Sequence, residues 1–206
     1  GQLFALAIKS SKNFDTRNWD DTHFSLKERY ETLWILLDDI DPEEDTLRFE
    51  GREKGALIFA RGEGIINSPD SIYFACTSGG LNQKGQIWKF NFSDPKNETI
   101  ELWYESSNPS YGRYNKSFKG DDLNMPDNIT LSPWGDLIIC EDNSDINRLW
   151  GVSKEGQPYI IAENRYSGSE FAGVCFSPSG ETMFVNLQSN GLTFAITGDW
   201  NKLSVL

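Results

Sequence analysis

GEGIINSPDSIYFACTSGG (62–80), PDNITLSPWGDLIICEDNS (126–144) and FAGVCFSPSGETMFVNLQS (171–189) align without gaps. Each stretch opens with small or polar residues and passes through Ile or Val to a Ser-Pro pair. A turn and a second apolar run follow. The Ser-Pro serines, Ser68, Ser132 and Ser177, are spaced 64 and 45 residues apart, close to the repeat of β-propeller blades. Each copy is followed by a further strand-like run: GQIWKFN, RLWGVSKEG or LTFAITG. From Ala56 onward the chain alternates such short runs with Gly, Pro, Asn, Asp and Ser clusters, the texture of an all-β sandwich, barrel or propeller. The repetition favours the propeller. The expected blades lie near 56–105, 122–163 and 165–206, with a partial fourth in residues 1–40, so one domain of three to four blades is expected. A small closed ring and part of a larger one both remain open.

Outside the repeats, Leu26, Tyr30, Leu33, Trp34 and Leu37 fall at helical spacing, and Ser25 with Glu28 forms a capping-box pattern. One short helix is expected near residues 26–37. The stretch DDIDPEED then reads as an acidic turn that Pro42 keeps from continuing a helix. GGLNQKGQ (79–86) lacks phosphate-loop spacing and a following helix, and reads as a hairpin connection. Cys76, Cys140 and Cys175 sit in apolar runs with no CxxC pair, which predicts three buried thiols.

The 206 residues carry 31 acidic and 19 basic side chains, a net charge of −12. Such a surface repels phosphate backbones, and the nearest basic group (Arg48, Arg52, Lys54) is diluted by Glu50 and Glu53, so nucleic acid is not an expected partner. No apolar run approaches the length of a membrane helix, so membrane insertion is not expected. The chain opens on GQLFALAIKSS, with no signal peptide. Asn-x-Ser/Thr sequons occur at Asn91, Asn97, Asn115 and Asn128. One histidine, His23, excludes a zinc site of the His-rich kind and leaves one candidate for any triad. A metal bound here would rely mostly on oxygen donors, which favours hard cations.

Residues just ahead of the first strand of each blade reach the mouth of a propeller's channel. These are Arg61-Gly62-Glu63, Asp127-Asn128 and Glu170. Three carboxylates from different blades would converge there, an arrangement that cations stabilise; the alternative is that they bond backbone amides of neighbouring loops. Arg61 and Glu63 point to one side of an extended segment. They form either a plain ion pair or an anion-binding arginine beside a metal ligand. Glu141 and Asp142, and Asn186 and Gln188, close their strands and line either the channel or the opposite face.

The ordered set Arg61-Gly62-Glu63-Gly64, IYFACTSGG with GQIWKF, PDNITLSPWGDLIICED, EFAGVCFSPSGETMFVNLQ and TFAITGDW resembles the PhoX-type alkaline phosphatases over roughly residues 56–200. The resemblance implies a six-bladed propeller, of which this chain is the C-terminal part or a truncated relative. It implies hydrolysis of small-molecule phosphomonoesters with calcium and iron, in the periplasm or outside the cell. It makes Arg61 the phosphate-binding, catalytic residue and Glu63, Glu170 and Asp127 metal ligands, with Asn128 and Glu141 as weaker transfers. The iron-binding cysteine of the family belongs to an N-terminal portion that is not in this chain, so the role does not pass to Cys140. The missing portion is then an expected partner, and the chain alone is expected to have little activity. A noncatalytic propeller binding module and a calcium-dependent lactonase-like hydrolase using Asp127 and Asn128 are the other readings.

Overall fold

The computed structural model describes residues 1–21, 23–106 and 123–203; Asn115 and the start of the second expected blade at residue 122 lie outside them. The fold is mostly β, and the strands of the described residues form three antiparallel sheets. The first combines β1 (Phe4–Ile8), β2 (Arg29–Leu36), β3 (Gly62–Asn67), β4 (Ser71–Cys76), β5 (Gln86–Asn91) and β6 (Thr99–Glu105) in the order β1-β2-β6-β5-β4-β3. The second is a meander of β7 (Pro126–Leu131), β8 (Leu137–Glu141), β9 (Arg148–Val152) and β10 (Pro158–Glu163). The third joins β11 (Phe171–Phe176), β12 (Thr182–Leu187) and β13 (Leu192–Thr197). Each aligned stretch therefore supplies the leading hairpin of its own sheet, with the Ser-Pro pair at the turn.

Residues 26–37, expected as a helix, form strand β2 instead. Two causes act together. Lys27 takes a left-handed backbone (φ 65°) that interrupts any helical start. β2 then finds partners on both sides, pairing Thr32 through Leu36 with β1 and Arg29 through Glu31 with β6. Tyr30, Thr32, Trp34 and Ile35 are β-favouring, and Trp34 packs edge-on against Phe90 with ring centroids 5.5 Å apart. Residues 1–40 thus extend the first sheet rather than starting a separate one. The α-helix among the described residues, α1, is Leu47–Lys54, and it ends where Gly55 adopts φ 106° and its N–H caps the Arg52 carbonyl.

Two cores separate the sheets. Ala75, Ile87, Trp103 and Tyr104 of the first meet Ile129, Leu137, Ile139, Trp150 and Val152 of the second. On the other side of the second, Ile138, Cys140 and Leu149 meet Phe171, Val174, Met183, Val185 and Leu187 of the third. β8 is covered on both faces, which is why LIIC reads as a continuous apolar run rather than an alternating one. A third core beneath the first sheet gathers Ile8, Phe24, Leu57, Cys76, Trp88, Ile100 and Leu102. Cys76 and Cys140 are buried as expected, but Cys175 is exposed. The ladder shifts between Ala172 and Cys175, so Val174 faces the core and Cys175 the open side of the sheet.

The leading strands lie side by side, β3 against β7 and β7 against β11. Each carries a bulge near its start: between Gly62 and Ile65 and between Pro126 and Ile129 at the same aligned place, and between Ala172 and Cys175 one residue later. A bulge bends a strand and re-aims its side chains, here just where the candidate site residues stand.

Candidate active site at the leading strands

A contact between backbones sets the geometry. At Gly64 of β3 a Cβ would stand 2.4 Å from the Asp127 carbonyl oxygen and 2.7 Å from the Ile129 nitrogen of β7. Only glycine allows that approach. At the aligned position of β7, Asn128 bridges onward: its Oδ1 accepts from the Gly173 N–H of β11 at 2.6 Å, and its Nδ2 donates to Asp127 Oδ1 at 2.6 Å. Gly64, Asn128 and Gly173, equivalent in the repeat, thus lock the three leading strands together.

Three carboxylates converge at this end. Asp127 is the second residue of β7, Glu170 directly precedes β11, and Asp142 directly follows β8. One oxygen from each lies within 4.8 Å of the others. Asp142 is held by its own N–H, which donates to the Met125 carbonyl at 3.0 Å. Glu170 accepts a short hydrogen bond from the Gln188 side chain. Partial burial, with the negative charges of Asp142 and Asp127 adding to it, pushes the Glu170 carboxyl up to about 7, against the pull of Arg61.

Arg61 lies across the group. Its Nη2 donates to Asp142 Oδ2 at 2.7 Å, and its Nε stands 3.4 Å from Glu63 Oε1. The bond to Asp142 raises the guanidinium pKa further. Its backbone is left-handed (φ 52°), a conformation uncommon outside glycine, Asn and Asp. The Thr77 N–H fixes it by donating to the Arg61 carbonyl at 3.0 Å.

The structure therefore brings Arg61, Asp127 and Glu170 together, with Glu63 at the edge paired to Arg61. Asn128 is a strand-to-strand link beside them. Glu141 stands outside the group: it is fully buried, its Oε1 accepting from the Asn124 N–H at 2.8 Å and its Oε2 from the Arg148 N–H at 3.1 Å. Burial pushes its carboxyl up to about 7 against those amides. Asp142 is the member that sequence reasoning left between two faces. The aligned positions hold Ser78 and Leu187, so the repeat carries no signal for a carboxylate there.

An all-oxygen donor set from three separate elements suits a hard cation, whose charge relieves the mutual repulsion of the carboxylates. A guanidinium within reach of the same space suits an oxyanion. Comparison with known proteins agrees with this chemistry. The model of the family described as Alkaline phosphatase PhoX matches residues 1–191. The chain belongs to the PhoX alkaline phosphatase family. The PhoX match extends upstream of the 56–200 span to take in β1, β2 and α1, and it stops just before β13. No curated protein and no solved structure matches the chain. PhoX membership supports a phosphatase-type function in general, with phosphoesters as the substrate class. Among the described residues, no helix is long and apolar enough to cross a membrane.

Proposed function

We propose that this chain carries part of the active site of a metal-dependent phosphomonoester hydrolase, with its three sheets as consecutive blades of a six-bladed propeller acting in the periplasm or outside the cell. The observation that carries the reading is the meeting of Asp127, Asp142 and Glu170 oxygens within 4.8 Å, with Arg61 bonded to Asp142. Three sheets do not close a ring, so the site would be completed by further sheets.

The donor set fits calcium, which Asp127, Asp142 and Glu170 would hold, with Glu63 as a neighbouring carboxylate. Bound there, the ion would neutralise the cluster and polarise a phosphate oxygen. We assign no iron ligand to Cys76 or Cys140: both are buried in the cores, where desolvation pushes the Cys76 thiol up to about 12 and that of Cys140 higher still. Arg61 binds the nonbridging phosphate oxygens through its planar fork and stabilises the charge that develops as the ester bond breaks. Asp142 and Glu63 orient the guanidinium. Asn128 and Gly64 fix the spacing of the strands that present these groups.

The test has two parts. Calcium raises the melting temperature of the 206-residue chain, and Asp142→Asn with Asp127→Asn abolishes the rise; an unchanged response in the double variant defeats the metal assignment. In the complete enzyme that contains this chain, Arg61→Ala lowers kcat/KM for p-nitrophenyl phosphate about 10²-fold, whereas a lactone is not turned over by either form. Turnover of the lactone in preference to the phosphoester would favour the lactonase-like reading.

A further inference from the structure

We propose that the cleft between the first and second sheets, at the end of β3 and β7 remote from the carboxylate cluster, binds a small oxyanion of the phosphate or sulfate class. The cleft encloses about 590 Å³, the size of a small-molecule site. Its walls are Tyr73, Lys89 and Trp103 from the first sheet and Ser132, Gly135 and Lys154 from the second. Gly62 and Pro126 open β3 and β7 near the cluster, and the Ser-Pro turns close them at this cleft. At about 3.3 Å per residue the two sites are about 15 Å apart along the strands.

The charges are unusual for a chain of net −12. The Lys27 ammonium sits 4.4 Å from the Trp103 ring centroid, and the Lys89 ammonium 5.4 Å from that of Tyr73. The two rings themselves meet edge-on at 5.2 Å. Lys154 lies across Gly135, where a Cβ would stand 2.9 Å from its Nζ. Lys27 reaches the β9–β10 turn that carries Lys154, its Nζ 3.5 Å from a Cβ placed on Gly156. Among the described residues, no carboxylate pairs with Lys27, Lys89 or Lys154 within 4.0 Å. The carboxylate on the cleft wall, Asp70, accepts from the Ser68 and Ser71 hydroxyls. Glu101, which attracts Lys27, is paired with Arg29 at 2.9 Å.

Two ammonium groups, Lys89 and Lys154, thus line one cavity, with Lys27 against its Trp103 wall, in a chain whose 31 acidic residues outnumber its basic ones. The aromatic faces hold Lys27 and Lys89 in position without consuming their charge. Ammonium groups bind oxyanions as compact multi-donor charges, and an anion in the cleft relieves their mutual repulsion. This inference does not depend on the hydrolase reading, and its test is made without metal.

Isothermal titration of the 206-residue chain with inorganic phosphate in the presence of a chelator shows saturable binding that sulfate competes away. Lys89→Met with Lys154→Met weakens it at least tenfold, Lys89→Arg with Lys154→Arg retains it, and Lys9→Met, at an exposed lysine paired with Glu31, leaves it unchanged. Absence of saturable binding, an equal loss with Lys9→Met, no competition by sulfate, or full binding by the methionine double variant overturns the proposal.

Discussion

Glu141 and Asp142 are neighbours in sequence with opposite fates. Glu141 turns inward and closes two backbone N–H groups, whereas Asp142 reaches Arg61 and the cluster. A carboxylate at the end of an apolar strand has either option, and the sequence gives no means to choose, because the choice depends on which amides the folded loops leave unpaired. Glu170 shows the electrostatic consequence. Its carboxyl titrates near 7, above the ordinary 4.5, so folding favours the protonated form. The stability this group contributes is full below about pH 4.5 and is lost as pH rises through about 7. In the metal-free chain, Glu170→Gln therefore raises the melting temperature at pH 8 by a few degrees and brings no gain at pH 4. Scanning fluorimetry in chelator checks it, and equal gains at both pH values would exclude ionisation of Glu170 as the cause.

At the scale of elements, the strands of the three repeats were legible because turn chemistry and apolar runs agreed there. β2 was not. Its apolar residues match a helical period as well as a strand read without alternation, and the partners that decide the matter, β1 and β6, are up to about 70 residues away. α1 was missed for the converse reason: LRFEGREK offers almost no apolar face, and the helix is held by its Gly55 cap and by Lys54 pairing with Asp38 and Glu50. The packing of β3 on β7 has a single critical point. Gly64→Ala forces the strands apart, costs about 1–3 kcal/mol, and removes the calcium-induced rise in melting temperature by displacing Asp127 from its partners. Denaturant unfolding with and without calcium measures both effects; a variant of native stability would show that the approach is not tight.

Across the whole molecule, burial is uneven. The second sheet is covered on both faces, and its central strands β8 and β9 are fully buried. The third is covered on one face, and β13 is exposed along nearly its whole length. Local opening follows coverage, so native-state hydrogen exchange is slowest in β8 and β9 and at least tenfold faster in β13. Equal protection of β13 and β8 would show that something covers the open face of the third sheet.

The sequence by itself determined the β class, the three leading hairpins, the family, and the placement of Arg61, Glu63, Asp127 and Glu170 ahead of or at the start of their strands. These follow from local rules, since turn residues, apolar runs and repeat spacing act over a few residues. Only the tertiary structure decided that β1 and β2 join the first sheet, that Cys175 faces outward, that Asp142 rather than Glu141 joins the carboxylates, and that Lys89 and Lys154 line one cleft with Lys27 against its Trp103 wall. Each of those depends on groups distant in the chain meeting across a bulge, a sheet edge or an intersheet space, and no local pattern encodes such a meeting.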